Sequence, residues 1–310
     1  MTRPSRGYLA WSLLMALAAP SVAACSDDGA APGDGPPTGY VRYEPPDVTV
    51  GPGESRTWVQ WVAAPFDHDQ NVVDLIGTQG VGGHHALLYT SKEIQPIGTT
   101  REFLNEDQAD IQLIGGVGGE GGKSVKLPAG VVMRVPAGRA LLMQTHYFNG
   151  GDMPIQGHSK VDVKFAELSP DDKVASFFVS TVHQLELPAH ADFEREVSCL
   201  LKKDLPMLMV ANHMHEIGVS VQTTITAPGG VPEMVKDDPA WNPEWTFNPE
   251  YRNATVEAPL MLKAGSTVTT HCSWHNATDK VVGMPNEMCV FFGFFLGEKD
   301  VTCVEGNWYE

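Results

Sequence analysis

The chain has 310 residues, enough for two domains of ordinary size, and 42% of them are hydrophobic, enough for real cores. Its formal net charge of -17 repels phosphate and no basic stripe offsets it, which excludes nucleic acid as a partner. The 31 Gly and 23 Pro are spread throughout, favouring many short strands over long helices.

Arg3 and Arg6 precede a short apolar run from Leu9 to Ala19, too short to span a bilayer. The run ends in Ser21-Val22-Ala23-Ala24-Cys25, which resembles the lipobox of bacterial lipoproteins. Residues 1–24 therefore read as a signal peptide and Cys25 as a lipidated first residue; cleavage as an ordinary secretory signal is the alternative. Either way the chain is exported. A lipid on Cys25 would make the membrane a partner, and Ser26, standing where aspartate often marks inner-membrane retention, favours the outer membrane. Residues 25–44 are polar and Gly/Pro-rich, a flexible tether.

Strands are predicted over Tyr40 to Val50, Arg56 to Ala63, Asn71 to Ile76 and His84 to Tyr89. Glu102 to Asp110 is a short helical candidate, and Gly115 to Gly122 reads as a flexible loop. Further strands fall at Val125 to Leu127, Val131 to Val135, Ala140 to Phe148 and Val161 to Leu168. The turn Ser169-Pro170-Asp171-Asp172 divides a domain over 45–171 from one over 172–310. In the second half, strands are predicted at Ala175 to Ser180, Phe193 to Leu200, Leu208 to Val221, Ala254 to Pro259, Thr267 to Trp274 and Met288 to Phe295. Pro228 to Pro249 is a long irregular loop placed to cap something. The expected class is all-β, with two consecutive jelly-roll-like β-sandwich domains.

The histidines carry the chemistry. His213 and His215, flanked by strand-like runs, would project to one face if one strand held both. That is half of a metal site, or two histidines in a chance spacing. Adjacent His84 and His85 would face opposite ways in a regular strand. They could share an ion only at a strand end or bulge, which Gly82-Gly83 permits. His146 shares a strand face with Gln144. The remaining histidines, His68, His158, His183 and His190, read as surface residues; His271 and His275 flank Cys272 without a clear role. Asn212 and Glu216 would face away from the paired histidines. With Cys25 on lipid, Cys199, Cys272, Cys289 and Cys303 remain, an even number in an exported chain that suggests two disulfides with three possible pairings. Asn253-Ala254-Thr255 and Asn276-Ala277-Thr278 match glycosylation sequons.

Four segments, GHHALLY (83–89), LMQTHYFN (142–149), NHMHEIG (212–218) and NEMC (286–289), together resemble in order and spacing the copper type II, ascorbate-dependent monooxygenases. The resemblance covers most of residues 45–303. It implies one copper on His84, His85 and His146 for electron transfer, and a second on His213, His215 and Met288 where oxygen is used. Cys272 would pair with Cys289, and Cys199 with Cys303. A thioether ligand suits soft Cu(I) better than zinc or a hard cation, and the cysteines are not free to build a blue-copper thiolate site. Disulfides that relatives carry in the first domain have no counterparts here.

Peptide-hydroxylating members grip a carboxylate with an arginine and a tyrosine at positions that are Ala211 and Phe292 in this chain. A buried carboxylate without a charged partner is costly, so a C-terminal peptide glycine is disfavoured as substrate. The Phe291, Phe292, Phe294 and Phe295 cluster indicates either an apolar substrate or core. The expectation is an exported copper-dependent monooxygenase that hydroxylates a C–H bond of a small organic molecule, using O2 and ascorbate or another one-electron donor. A non-catalytic copper-binding or copper-sequestering surface lipoprotein is the alternative.

Overall fold

Short runs that alternate apolar and polar side chains, each ended by Gly or Pro, can bury themselves only by pairing into sheets and stacking those sheets. The computed structural model describes residues 35–310 apart from 104–110, 120–122, 125 and 285, and it follows this rule. Among the described residues the only helical element is a 3-10 turn at Pro243–Thr246. The signal and lipidation assignments for residues 1–24 and Cys25 and the 104–110 part of the helical candidate lie outside the described residues; Glu102 of that candidate ends the strand Thr100–Glu102, and Val41–Tyr43 of the expected tether is a strand of the large sheet.

One large sheet runs through both halves. Its main path is 41–43, 159–166, 70–79, 131–135, 173–181, 290–296, 205–213 and 252–253. The halves meet where Val131 to Met133 pair in parallel with Lys173 to Ala175, just past the turn at 169–172. A six-stranded sheet with Ser55–Ala63, Ala140–Phe148 and Gly83–Ser91 at its centre covers the first half. A four-stranded sheet of Ala191–Leu200, Thr267–Asn276, Gly218–Thr226 and Glu233–Asp238 covers the second.

The cores lie between these layers. In the first half Leu88, Leu141 and Met143 meet Leu75, Val131 and Val161. In the second, Phe178, Met207, Phe291 and Phe295 meet Val268 and the buried Cys199–Cys303 bridge. Fully burying one Leu or Phe side chain contributes about 1.5–3 kcal/mol, so these layers carry most of the stability. Phe291, Phe294 and Phe295 are thus core, and only Phe292 of that cluster is left half-buried. The two disulfides are Cys199–Cys303 and Cys272–Cys289.

Several expected elements differ. Gly115 to Gly118 are not loop but the end of the strand Ile111–Gly118. A Cβ on Gly116 would sit 2.3 Å from Leu87 Cδ2, so glycine permits close strand packing there. Lys126 and Leu127, and the stretch from Ala254 to Pro259, are not strand. The predicted strand from Leu208 to Val221 is two, Leu205–His213 and Gly218–Thr226, separated by a turn. Met288 precedes the strand Val290–Leu296 rather than lying in it.

Candidate metal centre

The first three histidines come from neighbouring strands. His146 on Ala140–Phe148 pairs directly across from His85 on Gly83–Ser91, and the register then slips so that Tyr147 faces Gly83. His84 is the extra residue of this β-bulge, which lets adjacent histidines turn to one side. Gly82, at φ +76, permits the entry: a Cβ there would lie 2.5 Å from the Phe148 carbonyl oxygen. The Gly119 amide donates to the His84 carbonyl at 2.8 Å and fixes the bulge.

His213 ends its strand opposite Val290, and His215 lies beyond it in the turn. Their convergence therefore comes from the turn and not from strand alternation. Asn212 points the other way, into buried polar contacts with Thr223 and Asp238, as alternation requires. Glu216 is exposed. Met288 sits two residues before Val290, at the His213 end of the strand pair. Ala211 and Phe292 are cross-strand partners on the His213 face, and the Phe292 ring lies 6.3 Å from that of His213.

The structure brings all five histidines together. Possible ligand atoms of His84, His85 and His146 lie within 4.8 Å of one another, and so do those of His84, His213 and His215. His84 belongs to both groups: its ring is 4.7 Å from His146 and 4.7 Å from His215. The sequence had assigned His84 to the first set alone.

Hydrogen bonds decide which nitrogen each ring offers. His215 Nδ1 donates to the Asn286 carbonyl at 3.0 Å, so its Nε2 carries the lone pair. That Nε2 lies 3.0 Å from His213 Nε2. Two nitrogens at about 2.0–2.1 Å from one tetrahedral ion are about 3.3 Å apart, so this pair has ligand spacing. His85 Nε2 donates to Gln144 Oε1 at 3.0 Å, leaving Nδ1 free. His146 Nε2 is engaged by the Ser55 hydroxyl at 2.9 Å.

Burial holds every ring neutral. It pushes His85 and His215 down to about 4 and, with neighbouring imidazoles, His146 to about 2. His84 and His213 lie well below the usual histidine range for the same reasons. Five neutral imidazoles, each with one unprotonated nitrogen, and no ion-paired carboxylate form a donor set for a transition metal, and copper fits it. They do not suit calcium or magnesium, which take oxygen ligands.

The stretch from Pro228 to Pro249 is not irregular throughout, since it holds the strand Glu233–Asp238 and the 3-10 turn Pro243–Thr246, but its part from Trp241 to Phe247 lies against this cluster. Trp241 Nε1 donates to the His215 carbonyl at 2.9 Å, and Thr246 Oγ1 to that of Met214 at 3.1 Å. The Phe247 ring then stands 5.3 Å from that of His84. Its backbone presses on Gly118, where a Cβ would be 2.3 Å from the Phe247 carbonyl oxygen. Of the remaining histidines, His158, His190 and His275 bond surface carboxylates, those of Asp47, Asp279 and Asp192, and His183 is exposed. Asn276 is fully buried and donates to three carbonyls, so its sequon is closed to a glycan.

Sequence reasoning missed Glu287, Ser55 and Phe247. Only Glu287 lay inside a motif already singled out.

No family model matches the chain, and no curated protein matches it. Solved structures with some likeness include PNGase F, described as a glycosylasparaginase from Flavobacterium meningosepticum. It is 11% identical, with a TM-score of 0.39, covering 84% of this chain and 97% of that one. PBCV-1 VP54, fitted into a reconstruction of the virophage Sputnik, is 8% identical with a TM-score of 0.32, covering 82% and 93%. Likeness at these scores carries no argument about this chain's chemistry.

Proposed function

We propose that this chain is an exported copper-dependent monooxygenase of the copper type II, ascorbate-dependent family. The observation that carries the reading is the convergence of five neutral histidines from both halves on one place. His85 and His146 would hold one copper and His213, His215 and Met288 the other, with His84 within reach of both. Bound there, copper would supply one-electron redox chemistry toward O2.

The net reaction converts a substrate C–H and O2 to C–OH and water, consuming two protons and two electrons from ascorbate or another one-electron donor. This chain's own residues arrange that reaction. Gln144 and the Asn286 carbonyl hold His85 and His215 in the tautomers that face the metal. Phe247 and the strap around it shield the His84 side from water. Phe292 and Tyr251, 5.9 Å apart, offer an apolar wall beside His213. With Ala211 beside it, that wall suits an apolar or aromatic small molecule and disfavours a carboxylate.

Export agrees with two disulfides in the described residues, since such bonds persist in oxidising compartments. No helix among the described residues is long and apolar enough to cross a membrane. Anchoring through a lipid on Cys25 belongs to this proposal.

The test is copper-dependent oxygen uptake with ascorbate and a panel of apolar substrates, read by mass spectrometry for one added oxygen. Met288→Ala should abolish uptake while copper stays at the His85/His146 side; unchanged turnover would overturn the role given to Met288. Copper bound in full with no product from any substrate would favour the sequestering reading. Absence of copper binding would sink both.

A further inference from the structure

Among the described residues Glu287 is the one carboxylate bonded to the turn that carries His215, and it is 1% exposed. A buried charge costs several kcal/mol unless hydrogen bonds replace its water. Here four N–H groups do so. Its Oε1 accepts from the Ile217 amide at 2.9 Å. Its Oε2 accepts from the His215 amide at 3.1 Å, Trp274 Nε1 at 2.9 Å and the Met288 amide at 3.3 Å. Charge-assisted bonds of this kind are about twice as strong as neutral ones.

These donors come from three separate segments. His215 and Ile217 form the turn that ends the His213 strand and lie outside any strand ladder. Trp274 lies on the strand that carries Cys272, whose disulfide partner Cys289 follows Met288. Met288 is the expected thioether ligand itself. The preceding residue, Asn286, supplies the carbonyl that selects the His215 tautomer. Residues 286, 287 and 288 thus fix a ring, fix a backbone and supply a ligand in succession. The Asn286 and Glu287 amides in turn both donate to the Gly283 carbonyl, which ties the segment bearing the carboxylate back on itself.

Resting on the copper reading above, we propose that Glu287 is a positioning residue that sets His215 and Met288 in register for one metal ion. A thioether is a neutral ligand and cannot be drawn in by charge, so its placement has to come from the chain. One carboxylate referenced to both ligands and to the disulfide strand does this with no contact to the metal.

The experiment compares Cu(I) binding by the full chain and by Glu287→Gln, using competition with a chromophoric chelator and X-ray absorption to read copper–sulfur scattering. The amide keeps one acceptor oxygen and turns its NH2 to the other donors, so either the Ile217 bond or the His215, Trp274 and Met288 bonds are lost, and an N–H donor is left facing an NH2. We expect one of the two sites to lose about 10–100-fold in affinity, with its copper–sulfur signal reduced, while the other is unchanged. Equal affinity and equal sulfur scattering in a folded Glu287→Gln protein would overturn the proposal. Should that variant not fold, Trp274→Phe, which removes one donor and keeps the carboxylate, decides: the sulfur signal must weaken, and an unchanged signal overturns the assignment. A wild-type chain that binds no copper would instead refute the function on which this rests.

Discussion

Removing each disulfide separately should dissociate stability from metal binding. Cys199–Cys303 spans 104 residues and Cys272–Cys289 spans 17. If cross-links act by restricting the unfolded chain, the long loop is worth about 5 kcal/mol and the short one about 3 kcal/mol. All four cysteines are fully buried, so alanine also leaves a small cavity at each site. The double variant Cys199→Ala/Cys303→Ala should therefore lose more stability in urea titrations. Its bridge lies in the core among Phe178, Val268 and Val301, and neither cysteine neighbours a ligand in sequence, so both copper equivalents should remain. Cys272→Ala/Cys289→Ala should lose less stability yet weaken one copper site, because Cys289 directly follows Met288 and Cys272 lies two residues from Trp274. A folded Cys272→Ala/Cys289→Ala protein that binds two coppers with wild-type affinity would refute the link between bridge and ligand. A larger stability loss from that variant than from the other would refute the loop-entropy argument.

Two further outcomes follow from the histidines. His84→Ala should lower copper affinity at both sites, because its ring adjoins both groups, whereas His85→Ala should affect one; equal single-site losses in a copper titration would refute the shared position. The metal-free protein should also be acid-labile. A ring that titrates near 6.5 when unfolded but at about 4 when folded favours the fold only while neutral. Its contribution is fully present above pH 6.5 and is lost as pH falls toward 4. That is about 3 kcal/mol for each of His85 and His215, at 1.36 kcal/mol per tenfold. Asp300, raised by burial to about 6, acts with the opposite sign: its contribution is present below 3.8 and lost as pH rises through 6. Urea titrations from pH 7 to 5 should show a net fall in stability, with a steeper fall in Asp300→Asn; a flat profile would refute the burial of neutral rings.

Much of the site was legible because its signals are local. Gly82-Gly83 before His84-His85 permitted a strand end or a bulge, and the structure has the bulge. Alternation along 140–148 placed Gln144 beside His146, and Gln144 now orients His85 across the strand pair. What failed was anything decided by a distant partner. The split of Leu208 to Val221 was hidden because apolar residues flank the turn on both sides, while the bonds that hold the turn come from Glu287, Trp241 and Thr246. A glutamate among turn residues reads as solvated until the fold buries it. The glycines of 115–118 read as loop since their sequence does not show Leu87 and Phe247 pressing against them. The proximity of the two ligand sets was also beyond reach, since it depends on pairing between strands far apart in the chain.

That proximity has an identifiable mechanical basis. The parallel pairing of Val131 to Met133 with Lys173 to Ala175 makes one sheet of both halves, so neither sandwich can rotate without breaking a buried ladder. Asp300 adds a second link, accepting from the Leu113 amide of the first half at 2.7 Å and the Phe177 amide of the second at 2.8 Å. The loop around Phe247 is a third, leaving the second half to pack on Gly118 and His84 of the first. Leu208, Met209 and Phe294 of the second half lie in the first half's core, which makes the junction apolar as well as hydrogen-bonded. A metal pair held across such a junction would have its ligand sets fixed in relation to each other by the fold. On this reasoning the first half needs no disulfide of its own, because the second half, with both bridges of the described residues, is built into the same sheet.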